Sequence, residues 1–231
     1  LENVLARHGQ VVVDPWLDKE LDLSLHFDID GNGQVHVAGW TRFFTDPRGQ
    51  YRGTFVSQMV AGLDDETKKF LYGDGRDPRR LRRLGEQLSA HLGSSLAEVG
   101  YVGPICVDAL VYRCRGGLRF KPIVEINPRT SMGRVALSLR QRVNSARTAL
   151  WLVVTAREAQ AAGYASLAEW AAEFETVWPA RLADDGAQVG EGALFVTDPA
   201  QAGACAGLLL VDQTLSGCRL RALEVGLDIG V

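Results

Sequence analysis

Three oxygen-bearing side chains stand where two neighbouring strands could gather them. Asp108 lies inside Cys106-Val107-Asp108-Ala109-Leu110, and Glu125 and Asn127 lie two apart in Val124-Glu125-Ile126-Asn127. Side chains alternate across a strand, so Glu125 and Asn127 project to one face, and a hairpin can bring Asp108 beside them. Such a set suits Mg²⁺, which takes hard oxygen ligands and usually keeps nucleotide phosphates in its shell. Burying both acids without a cation would cost several kcal/mol through repulsion and desolvation. By spacing alone a plainer reading competes: two solvent-facing strand acids, followed by Asn127-Pro128 as turn chemistry.

The elements that must position these residues are legible in the pattern. Ile105 to Tyr112 and Phe120 to Ile126 read as strands joined at Arg115-Gly116-Gly117, the hairpin that holds the three oxygens. Upstream, Leu21 to Phe27 alternates, Asp30-Gly31-Asn32-Gly33 turns, and Val35, Val37 and Trp40 alternate again, giving another antiparallel hairpin. Leu1, Val4 and Leu5 have helical spacing, with Gly9 placed to end the helix before a buried strand at Val11-Val12-Val13. Asp77-Pro78 reads as an N-cap and first helical position, opening a helix through Leu96. Residues 134–162 and 166–177 read as helices, the second with Leu167, Trp170, Ala171 and Phe174 on one side. From Gly192 onward, short apolar runs (Ala193 to Val196, Leu208 to Val211, Leu220 to Val225) read as a small β-rich terminal element.

Composition narrows the function classes. The chain has 231 residues, 46% of them hydrophobic, enough for one large domain or two small ones. A net charge of −3 gives no broad attraction to nucleic acid or an acidic membrane, so phosphate binding must be local. Cys106, Cys114, Cys205 and Cys218 show no CxxC pairing and are expected to be reduced core residues. The longest apolar stretch, Ala149 to Ala156, is far short of the roughly 20 residues that span a bilayer, so no membrane helix is expected. The opening Leu-Glu-Asn lacks a basic start, an apolar signal core and an initiator methionine. These features favour a cytoplasmic protein and suit a fragment or domain of something longer.

The runs Gly103-Pro104-Ile105-Cys106-Val107-Asp108 and Val124-Glu125-Ile126-Asn127-Pro128-Arg129 resemble the metal-binding signature of the ATP-grasp superfamily of carboxylate-amine ligases. There, an acid on one strand precedes a Glu-x-Asn-x-Arg element on the next. The resemblance implies that Asp108, Glu125 and Asn127 hold Mg²⁺ or Mn²⁺ and that Arg129 faces the phosphates or an acyl-phosphate intermediate. Some members carry an arginine two residues before the first acid, where this chain has Cys106. Val11-Val12-Val13-Asp14-Pro15-Trp16-Leu17 is similar to the family's adenine hinge, a buried strand ending in an acid, more often glutamate. It implies that backbone near Val13 and Leu17 reads the adenine edge and that Asp14 accepts from the exocyclic amine or supports the hinge. Asp22, eight residues on, matches the residue that reaches the ribose hydroxyls. Gln50-Tyr51-Arg52-Gly53 resembles the segment that sends a basic side chain, here Arg52, toward phosphates or substrate. The plain readings are a turn at Asp14-Pro15, an exposed strand acid at Asp22, a capping or surface-paired Arg129 and a solvated Arg52.

The fold this implies is α+β: an ATP-grasp-like antiparallel sheet flanked by helices, with a small β-rich C-terminal element. Residues 1–145 would form the C-terminal part of an ATP-grasp domain, and 146–231 a helical segment plus the terminal element. The family's N-terminal subdomain, with a glycine-rich loop and a lysine, has no counterpart in this sequence and would be the missing partner. The implied function is ATP-dependent ligation of a small carboxylate, activated as an acyl phosphate, to an amine-type nucleophile. The competing readings are a non-catalytic nucleotide-binding or scaffold module, and a structural α+β domain whose motifs are coincidental.

Other signals carry less. Asp28-Ile29-Asp30-Gly31-Asn32-Gly33 imitates a calcium loop but has Gly39 at the twelfth position, so a hairpin turn is expected. Arg76 and Arg79-Arg80-Leu81-Arg82-Arg83 read as a solvated helix face rather than a nucleic-acid patch. His8, His26, His36 and His91 lack metal or triad spacing, and His26 and His36 are expected to be exposed hairpin positions. Ser131-Met132-Gly133 offers helix-start donors for an anion such as a substrate carboxylate, or an ordinary cap.

Overall fold

Alternation along two long hairpins builds the centre of the molecule. In the computed structural model, which describes residues 2–11, 13–73, 79–184 and 186–230, β1 (Asp18–Ile29) pairs antiparallel with β2 (Val35–Thr45). Strand β3 (Tyr51–Ser57) continues from β2, and β4 (Gly103–Cys114) with β5 (Gly117–Asn127) forms the second hairpin on the other side of β1. Further strands β6 (Thr148–Thr155), β7 (Arg181–Leu182), β8 (Val189–Phe195) and β9 (Cys205–Asp212) complete a nine-stranded sheet of order β5-β4-β1-β2-β3-β6-β9-β8-β7. The helices are α1 (Glu2–His8), α2 (Asp65–Tyr72), α3 (Arg79–Glu98), α4 (Met132–Leu139), α5 (Ala156–Ala161), α6 (Leu167–Val177) and α7 (Leu215–Glu224). None of the described helices is long and apolar enough to cross a membrane.

Parity divides the two faces. Leu21, Leu23, Leu25, Phe27 and Ile29 of β1 share a buried face with Ile105, Val107, Ala109 and Val111 of β4, and α2 and α3 cover it. A second apolar cluster joins Phe55, Leu150, Leu152 and Leu208 to Trp170 and Phe174 of α6 and Cys218 of α7. The even-numbered residues of β1 and β4 turn to the opposite face. There α4 covers only part of the sheet, packing with Val56, Ala149, Trp151 and Leu209. The rest of that face is open, and it carries the polar residues.

The α+β expectation, an antiparallel sheet flanked by helices, holds. Several local expectations are corrected. The segment 148–155, read as helix, is β6, buried on both faces in mid-sheet, where a continuous apolar run suits a strand as well as a helix. Leu220 to Val225, read among β-rich runs, belongs to α7, whose N-cap Thr214 accepts from Gly217 N. The strand expected at Val11 to Val13 does not form in the described part: Val13 is 84% exposed, and no described strand pairs with residues 13–17. Cys114 and Cys205 are exposed, and only Cys106 and Cys218 are buried; all four are free. His26 is buried beneath α4, whereas His36 is exposed and meets Asp30 at 2.9 Å. Asp77 and Pro78 lie outside the described residues; the described helix runs from Arg79 to Glu98 with Leu81 buried. The Asp30 turn is a hairpin, as expected, its carboxylate accepting from Asn32 N and Gln34 N at 2.9 Å each.

Candidate nucleotide and metal site

Cross-strand register gathers the oxygens. Asp108 stands opposite Glu125 across β4 and β5, and opposite Ser24 across β4 and β1. Residues directly opposite in an antiparallel pair share a face, so the three side chains meet. Ser24 Oγ donates to Asp108 Oδ1 at 2.5 Å, Cys106 Sγ donates to the same oxygen at 3.4 Å, and Asn127 Nδ2 donates to Oδ2 at 3.2 Å. Arg129 Nη2 donates to Asn127 Oδ1 at 3.1 Å, which places a guanidinium at the rim of the group. Burial chiefly, with the nearby Glu125 charge adding to it, pushes the Asp108 carboxyl above its usual range, against the opposing pull of Ser24, Cys106 and Arg129. The Cys106 thiol is pushed up to about 12, mainly by burial and then by Asp108, so it is a neutral donor and no nucleophile.

This row opens on a cleft of about 1230 Å³. Asp14, Leu17, Asp22, Asp108, Glu125, Asn127 and Arg129 all line it; Val13 and Arg52 do not. Arg52 faces elsewhere, donating to Glu158, which also closes the capping box of α5, and at 3.3 Å to the carbonyl of Asp228. The β3 strand turns Tyr51 and Thr54, not Arg52, into the cleft.

Two lysines that no motif contains also reach the cleft. Lys19 Nζ donates to Asp22 at 2.5 Å and to Thr45 Oγ1 at 2.6 Å, and Lys121 Nζ donates to Asp14 at 2.9 Å. Lys121 has the parity of Glu125 and so was findable by strand periodicity. Lys19 lies at an irregularity of the β1–β4 register, between Lys19 and Leu21, which no spacing discloses. Trp16, 93% exposed, also lines the cleft beside Leu17.

Among the described residues no cluster of three His, Cys, Asp or Glu side chains forms a metal centre. A cation here would rest on two carboxylates and one amide. The donor chemistry fits a hard cation: the facing Glu125 charge adds to the cost of ionising Asp108, and a cation between the two would remove it. Asn127 presents its amide nitrogen to Asp108 and its oxygen to Arg129, so a half-turn of the amide would bring the oxygen to the carboxylates.

No protein-family model matches the sequence, and no curated protein matches it. Solved structures do. Rhizobium etli pyruvate carboxylase matches over 96% of this chain and 20% of its own, with 12% identity and a TM-score of 0.53. The fold is ATP-grasp-like. Weaker likenesses are N5-carboxyaminoimidazole ribonucleotide synthetase from Thermus thermophilus (13% identity, 97% of this chain, 55% of that one, TM-score 0.49) and the biotin carboxylase–βγ-ATP complex of Campylobacter jejuni (10%, 97%, 49%, 0.48). The chain spans about half the length of these synthetase and carboxylase structures. In this chain the polar row lies where α4 leaves the strands uncovered.

Proposed function

We propose that this chain is the nucleotide- and metal-binding half of an ATP-dependent ligase, within a longer enzyme. The observation that carries the reading is the meeting of Asp108, Glu125, Asn127 and Arg129 on one wall of a cleft that Asp14, Leu17 and Asp22 also line. In the reaction, a carboxylate oxygen attacks the γ-phosphorus of ATP, the bond to the ADP oxygen breaks, and an acyl phosphate forms. An amine-type nucleophile then attacks the acyl carbon, phosphate leaves, and the surplus proton goes to solvent.

The residues' tasks are to position groups and neutralise charge. Arg129 is exposed at the rim and steadied by Asn127, so its remaining N–H groups can donate to the transferring phosphoryl oxygens. Lys19 and Lys121 can each turn a further N–H toward phosphate or base while still paired. Asp22 can accept from ribose hydroxyls, and the backbone about Leu17 can meet the base. Asp108, Glu125 and Asn127 would hold Mg²⁺ or Mn²⁺, which when bound would neutralise phosphate charge. Arg52, committed to Glu158, takes no part in this proposal. Residues 1–145 make up this half in the proposal, and 146–231 extend its sheet.

The full-length enzyme is expected to form ADP only when a carboxylate is supplied, and to turn over repeatedly only when an amine is supplied as well. Arg129→Ala should lower kcat roughly 100-fold, the usual loss on removing one donor to a developing charge. ADP release that ignores the carboxylate would sink the ligase assignment.

A further inference from the structure

A second cavity, about 730 Å³, lies between the β3–α2 connection and the start of α7. Arg42 lines it. This residue stands opposite Leu23 in the β1–β2 register, so it projects to the face covered by α2 and α3, away from the Asp108 row. It is only 8% exposed. Its guanidinium lies 3.8 Å from the centre of the Phe55 ring, and Nη1 donates to the carbonyls of Met59 and Ala61 at 2.9 and 2.7 Å.

Among the described residues, Nε and Nη2 of Arg42 make no hydrogen bond, and no carboxylate pairs with the charge. These nitrogens are not sealed away: the buried side-chain nitrogens without partners are Arg134 Nη1, Trp151 Nε1 and Trp178 Nε1. Arg42 also lines the cavity, which is where its unsealed edge can meet a ligand. Burial holds the Arg42 pKa down to about 10, with Tyr72 opposing it.

The acids lining the cavity are already engaged. Glu20 is paired with Arg113, Asp22 with Lys19, and Asp64 caps α2 by accepting from Thr67 N at 2.7 Å. Arg219 of α7, exposed on the same lining, has no ion-pair partner among the described residues. Among the described residues, Arg42 and Arg219 are thus the two lining cations without an ion-pair partner, one buried and one exposed, beside a lining that also carries Lys19, Glu20, Asp22 and Asp64. The Nε–Nη2 edge of an arginine is a planar fork matched to two oxygens of a carboxylate or phosphate.

We propose that this cavity binds a small oxyanion, a carboxylate or phosphate compound, with Arg42 gripping two of its oxygens and Arg219 closing on it from α7. The cavity adjoins the nucleotide cleft, with Lys19, Asp22, Phe43 and Thr45 lining both, but Arg42 and Arg219 line only this one, and the proposal does not depend on the ligase reading.

The test is thermal denaturation of the purified chain, titrated with inorganic phosphate and with succinate at ionic strength held constant by sodium chloride. A saturable rise in Tm is expected, with midpoint shifted to roughly tenfold higher concentration by Arg219→Ala and by Arg42→Gln, the usual cost of one charge-assisted hydrogen bond. A greater response to phosphate or to succinate identifies which oxyanion class the site takes. If Arg42→Gln does not fold, the Arg219→Ala shift decides. An equal response to chloride, an unchanged midpoint in Arg219→Ala, or loss of the response in Arg129→Ala would overturn the proposal; the last would place the anion in the nucleotide cleft.

Discussion

Asp108, Glu125 and Asn127 meet because of parity and register together. The parity of Glu125 and Asn127 was readable, and the hairpin made a meeting with Asp108 reasonable. Ser24, which touches Asp108 at 2.5 Å, was not readable, because it comes from a strand 84 residues away whose register no local signal states. His26 shows the same limit. Alternation placed it opposite the core-facing leucines, which is correct, but the sheet's second face is covered at that point by α4, so the residue is buried. Its Nε2 shares a hydrogen bond with Thr41 Oγ1 at 2.9 Å, and burial first, then Arg134, lowers its pKa from 6.5 to about 4. A histidine kept neutral in the fold stabilises fully above its unfolded pKa, and that contribution is lost as pH falls from about 6.5 through about 4. The loss is on the order of 3 kcal/mol at the acid end. Asp22 and Asp108, whose carboxyls are raised by burial, act in the opposite sense and gain stability as pH falls. Comparing urea denaturation of wild type and His26→Gln between pH 4 and pH 8 isolates the histidine. The variant should show a flatter acid limb, and parallel curves would contradict the assignment.

At the scale of elements, the two hairpins and the helices α3 and α6 follow from periodicity and turn residues, while β6 does not. The six-residue apolar run from Ala149 to Val154 has no period to read, and its identity as a strand comes from β3 and β9 pairing with it on either side. Helix α4 matters most to the cleft, because its first turn brings the loop 128–132 against β1 and β2. Gly133 permits that approach: a methyl there would lie 2.6 Å from His26 Nε2 and 2.7 Å from Thr41 Oγ1. Gly133→Ala should therefore lower stability by about 1–3 kcal/mol, as overpacking does, and weaken nucleotide binding by moving Arg129 and Asn127. Denaturant melts together with nucleotide affinity check this, and an unchanged melt would show that α4 can slide without cost.

For the whole molecule, the sheet and its helical layers form the stable body, and residues 2–11 and 13–17 lie beside it. Helix α1 has no buried residue, and seven residues are too few to hold a helix in water without packing. The 13–17 stretch meets the body through the Lys121–Asp14 ion pair, with Val13 and Trp16 exposed. The hinge-like sequence was legible, but a buried strand needs a neighbouring strand, and none of the described strands pairs with it. Removing residues 1–9 should accordingly shift Tm by no more than about 2 °C, the effect of a surface change of about 0.5 kcal/mol in a chain of this size. A larger fall in differential scanning calorimetry would reveal packing that the exposure of α1 denies.

Everything proposed for the cleft turns on Asp108, Glu125 and Asn127 holding a divalent cation for a nucleotide. Calorimetric titration of the chain with a non-hydrolysable ATP analogue, with and without Mg²⁺, on wild type and Glu125→Gln, decides it. Binding should be strengthened at least tenfold by Mg²⁺ in wild type, and Glu125→Gln should lose that dependence with an unchanged melting curve. Binding indifferent to Mg²⁺, or an equal Mg²⁺ effect in Glu125→Gln, would contradict the assignment of these residues to the metal.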